Sequence, residues 1–118
     1  MAESYKNLNI WKESVDLSTY IYKLTKGFPK EEIFGITSQL RRAVVSISSN
    51  IAEGSSRPSK KDYSRFIDIA IGSLKEVESL LEVSFRLGYM SEIEYGKMIK
   101  IISGLGVSMG GFRKYLNK

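Results

Sequence analysis

The chain has 118 residues, 42% of them apolar and 26% charged, which suits one soluble domain with its own core. It contains no cysteine and no histidine, which excludes disulfides, thiolate metal sites and every Ser-His or Cys-His nucleophile. Eighteen Lys and Arg against thirteen Asp and Glu give +5, spread along the chain, a balance that permits a nucleic-acid partner without demanding one.

In chain order, the first predicted helix covers about residues 8–26 and stops at Gly27-Phe28-Pro29, a Gly-then-Pro ending. The second covers 30–53, with Glu31 and Glu32 in its first turn and Gly54 as its stop. The third covers 60–88, with Ser59 as N-cap and Asp62 three positions on. The fourth covers 92–116, opened by the capping-box pair Ser91 and Glu94. No segment alternates apolar and polar residues as a strand would. Short connections make successive helices antiparallel, so the expected fold is a single all-α domain over residues 1–118, an up-down-up-down four-helix bundle. The first fifteen residues lack the apolar run of a secretory signal, and no window reaches the ~18 apolar residues of a membrane span. The expected address is cytoplasmic, with no membrane partner.

At ~100° per residue, apolar side chains form a stripe on each helix. The second helix aligns Ile33, Ile36, Leu40, Ala43, Val44, Ile47 and Ile51; the third aligns Tyr63, Ile67, Ala70, Leu74, Val77, Leu81 and Phe85. In the fourth, Met98, Leu105 and Phe112 recur every seven residues, as do Ile102, Met109 and Leu116, the seam of a left-handed bundle. Two helices carry more. Beside Ile10, Leu17, Ile21 and Leu24, the first has Trp11, Val15 and Tyr22 ~120° away. The third has Ile69, Leu80, Val83 and Leu87 away from its main stripe. Aligned apolar rows of this kind favour a subunit interface over a broad face wrapped by the chain's own helices.

Catalysis finds little support, and no catalytic residue, metal ligand or cofactor is expected. Gly104-Leu-Gly106 lies inside a helix with no preceding strand, outside any phosphate-loop context. Gly104 and Gly111, seven apart, suggest close helix approach. Glu76, Glu78 and Glu82 lack the histidines of a di-iron bundle site and read as a solvated face or ion-pair partners. A polar line of Glu32, Gln39, Ser46, Asn50 and Glu53, edged by Arg42, follows the second helix. It reads equally as a solvated flank or as a hydrogen-bonded seam. The densest basic segment holds Arg57, Lys60, Lys61 and Arg65, to which Arg41 and Arg42 are candidates to add. Lys60 and Lys61 stand at the helix end whose dipole disfavours cations. A solvated lysine-rich loop is the plainer reading of this patch, and sequence-independent phosphate contact is the functional one.

The run QLRRAVVSISSNIAEG from Gln39 to Gly54 resembles the signature of the four-helix-bundle family encoded in intervening sequences of 23S ribosomal RNA genes. LNIWK at 8–12, Phe28-Pro29, IAIGSLKE at 69–76 and LGYM at 87–90 fit the same pattern in the same order, over roughly residues 5–116. The resemblance implies a bundle that assembles as a ring-like homopentamer. It also implies kinship with the accessory variability protein of diversity-generating retroelements, which works with a reverse transcriptase and structured RNA. A ribosomal label attached to some members follows from gene location and implies no ribosomal role. The family has no known catalytic residue. Its motif falls here on Gln39, Arg42, Ser46, Asn50, Glu53 and Gly54. The leading expectation is a non-enzymatic homo-oligomer that binds structured RNA, or DNA, through Arg41, Arg42, Arg57, Lys60, Lys61 and Arg65. The rival is an adaptor that holds a partner protein and touches no nucleic acid.

Overall fold

A computed structural model describes residues 4–118. They form α1 (Asn9–Thr25), α2 (Ile36–Ser55), α3 (Lys60–Arg86) and α4 (Glu92–Leu116), with single 3-10 turns at Tyr5–Asn7 and Lys30–Glu32. No strand occurs among the described residues, and no helix among them is long and apolar enough to cross a membrane. The molecule measures 46 × 24 × 20 Å.

Each helix buries one stripe. Leu17 and Ile21 of α1 meet Leu40, Val44, Ile47 and Ile51 of α2, Ile67, Val77 and Leu81 of α3, and Leu105 and Met109 of α4 in one core. Removing each such side chain from water contributes about 1.5–3 kcal/mol. Buried hydroxyls within this core bond back to their own helix: Ser14 to the Ile10 carbonyl and Ser84 to that of Leu80. Among the α-helix pairs in contact, packing is most extensive between α2 and α3 and sparsest between α1 and α4. There Tyr20, Leu24, Met98 and Ile101 line an open groove.

The α2–α3 contacts run from Ser46 with Ser73 to Gly54 against Tyr63 and Phe66, and beyond the two helices Glu32 of the 3-10 turn bonds Tyr89 of the α3–α4 connection. Those of α3 with α4 run from Glu82 with Tyr95 to Asp68 with Arg113 and Tyr63 with Phe112.

Local chemistry sets the ends. The Ser59 hydroxyl accepts the Asp62 N–H at 3.1 Å. Ser91 and Glu94 close a reciprocal capping box. Gly88, at φ 80°, ends α3: its N–H bonds the Phe85 carbonyl while that of Tyr89 bonds Ser84, the paired bonds of a Schellman ending. Two expectations are corrected. The second helix begins at Ile36 rather than 30, because the N–H groups of Ile33 and Gly35 make three-residue bonds and Gly35 takes a non-helical backbone at ψ −122°. Ile33 therefore leaves the predicted stripe and is exposed beside Phe34, which is 94% exposed. Gly54 does not stop its helix: α2 runs on to Ser55, and Gly54 lies buried inside the last turn.

Candidate functional site

The α2 polar line divides in two. Ser46 shares a 2.9 Å hydrogen bond with Ser73 of α3, and the Asn50 amide donates to both the Ser46 carbonyl and hydroxyl. This part is a bonded seam between helices. Gln39 and Arg42 instead sit on the open side, sharing a polar groove with Ser73 and Glu76. Glu53 pairs with Arg57 at 3.2 Å, one turn on. Glu32 accepts the Tyr89 hydroxyl at 2.7 Å, which ties the 3-10 turn ahead of α2 to the α3–α4 connection. Gly54 closes the seam: a Cβ there would lie 2.8 Å from the Phe66 Cβ and 2.9 Å from the Tyr63 ring.

The basic candidates also divide. Arg57 and Arg65 sit over the Phe66 ring, at 4.7 and 4.9 Å, and pair with Glu53 and Asp62. Lys60 lies over the Tyr115 ring, which brings in the last turns of α4. Those turns add Arg113 and Lys114, which the sequence pattern did not flag because they stand some fifty residues away in the chain. Arg113 pairs with Asp68, which raises its pKa further. Lys61 and Lys114 are exposed and form no ion pair among the described residues. Arg41 and Arg42 do not join this end. Arg41 stands fourteen residues, about 21 Å of helix, before the last residue of α2, Ser55. Arg41 donates from Nε to Thr25 and stacks on Tyr22 of α1.

Of the three α3 glutamates, Glu78 and Glu82 have side-chain partners, while Glu76 lines the groove with Gln39 and Arg42. Glu82 accepts from the Tyr95 hydroxyl and from Arg86, which holds its carboxyl below the usual range and pushes the Tyr95 phenol up. Glu78 pairs with Lys75.

Residues 6–110 match the family model described as 23S rRNA-intervening sequence protein. The chain belongs to this family. A crystal structure of a protein of unknown function from the S23 ribosomal protein family, from Bacteroides thetaiotaomicron VPI-5482, has a TM-score of 0.82 at 23% identity. The superposition covers 89% of this chain and 98% of that one, and it supports the fold. No curated protein matches the chain.

In this intervening-sequence protein Ser46 and Gly54 meet α3 and Asn50 braces Ser46 from within α2, while Gln39 and Arg42 remain open to solvent. The surplus apolar rows are only partly covered. Tyr22, Ile69, Val83 and Leu87 are exposed, Leu87 by 54%. Val15 and Leu80 are half-buried. Trp11 is half-buried under the edge of Tyr5, 5.3 Å between centroids. A further uncovered face lies on α4, where Ile93, Gly96, Lys100, Gly104, Val107 and Gly111 fall within ~80° of arc. Gly104 and Gly111 are not explained by close approach inside the chain, since a Cβ on either meets nothing within 4 Å.

Proposed function

We propose that this protein is a non-enzymatic homo-oligomeric scaffold whose repeated basic ends bind structured RNA. In this reading the four helices run alternately up and down. The short connections and the ordered pairings of α2 with α3, and of α3 with α4, support that topology. The exposed rows on α1, α3 and α4 support self-assembly, because aligned apolar side chains gain by being covered. The family resemblance supports a ring of five.

The observation that carries RNA binding is the clustering of Arg57, Lys60, Lys61 and Arg65 with Arg113 and Lys114 at one end of the bundle. Phosphates take contact from such side chains without reading sequence. Repetition around an oligomer multiplies modest contacts. Arg41 and Arg42 lie too far along α2 to contribute to this end. The test is fluorescence anisotropy of a structured RNA titrated across salt concentration. Affinity should fall as salt rises, and Lys61→Gln with Lys114→Gln should reduce the log-log slope by about two. Salt-independent affinity, or none at low salt, overturns the proposal.

A protein-interaction adaptor is the second reading, favoured by the exposed Ile33 and Phe34 between α1 and α2. A partner protein retained after nuclease treatment supports it.

A further inference from the structure

Thr37, in the first turn of α2, is 2% exposed, yet its Oγ1 has no hydrogen-bond partner among the described residues. The buried hydroxyls of Ser14, Thr25 and Ser84 each bond the carbonyl four residues back, Thr25 to Ile21 at 2.7 Å. For Thr37 that carbonyl belongs to Ile33, which lies ahead of the helix beyond the 3-10 turn. An unsatisfied buried hydroxyl calls for an explanation.

Thr37 lines a cleft of about 330 Å³ between the end of α1 and the start of α2. Lys26, Lys30 and Arg41 also line it, and none of the three pairs with a carboxylate among the described residues. The guanidinium of Arg41 is fixed in place by its 2.9 Å bond to Thr25 and by the Tyr22 ring 4.7 Å away. Phe28, Pro29 and Ile33 give the cleft an apolar wall. Glu32 is engaged elsewhere, by the Tyr89 hydroxyl and the Ile36 N–H.

We propose that this cleft binds a small organic anion, a phosphate monoester or carboxylate carried on an apolar body the size of one aromatic ring. The Thr37 hydroxyl donates to the anionic head, Arg41, Lys26 and Lys30 neutralise it, and Phe28 and Ile33 cover the body. The first turn of α2 adds its own preference for negative charge. The site is independent of the RNA proposal, because it lies far along α2 from the basic end.

The test is calorimetric and NMR titration of the full chain with phenyl phosphate, phenylacetate and neutral benzyl alcohol. Saturable binding of either acid, with amide shifts confined to residues 25–41, is expected, and the tighter of the two identifies the head group. Thr37→Val should raise the melting temperature of the free protein, since a methyl replaces an unsatisfied hydroxyl. The same change should weaken anion binding about tenfold, the effect of one lost charge-assisted hydrogen bond. The exposed pair Lys26→Gln with Lys30→Gln should weaken binding without moving the melting temperature. No saturable binding, equal binding of benzyl alcohol, or unchanged affinity in either variant overturns the proposal.

Discussion

Gly54 shows how one residue is set by its neighbour rather than by its own helix. Alanine should favour α2 by about 1 kcal/mol on propensity. The Cβ would instead press on Phe66 and Tyr63, so Gly54→Ala should lose about 1–3 kcal/mol in urea unfolding. Gly72, exposed on α3 with open space around it, should gain about 0.5–1 kcal/mol on the same change. Glu82 gives a pH prediction. Its folded carboxyl titrates below the unfolded value, so its stabilisation is present above about pH 4.3 and is lost as pH falls through the lower folded value. The difference in melting temperature between the native chain and Glu82→Gln should be full at neutral pH and fade in strong acid. A difference that stays constant with pH contradicts it. The caps at Ser59 and Ser91 were legible in the sequence because a cap is a contact within four residues. The roles of Gly54 and Thr37 were not, because one depends on a facing helix and the other on where the chain ahead of α2 leaves the Ile33 carbonyl.

At the scale of elements, the α2–α3 seam joins Ser46, Asn50 and Ser73. Ser46→Ala and Ser73→Ala should each cost about 0.5–1.5 kcal/mol. The double variant should cost less than the sum, which a double-mutant cycle in urea measures. Additive losses contradict a shared bond. The 100° spacing brought out the α2 half of this seam, since residues of one helix share a face by rule. Ser73 escaped notice because it stands among core positions of another helix. The start of α2 was misplaced for a related reason: Glu31 and Glu32 are good first-turn residues, but Gly35 breaks the ladder after them.

For the whole molecule, the sequence pattern exposed the surplus rows of α1 and α3 but not the outer face of α4. The α4 core heptads are regular, and its glycines read as packing devices. The structure instead leaves Val107 and Ile93 largely in solvent beside those glycines. Charge is likewise a whole-molecule property: α4 delivers Arg113 and Lys114 to the end where α3 begins. If copies of the chain cover these faces, Val107→Glu and Leu87→Glu should lower the assembled mass while circular dichroism stays helical. The most direct measurement is the mass of the native protein by light scattering at micromolar concentration. The account predicts a multiple of 13.3 kDa, fivefold for a ring of five, and a single species at 13.3 kDa would contradict it.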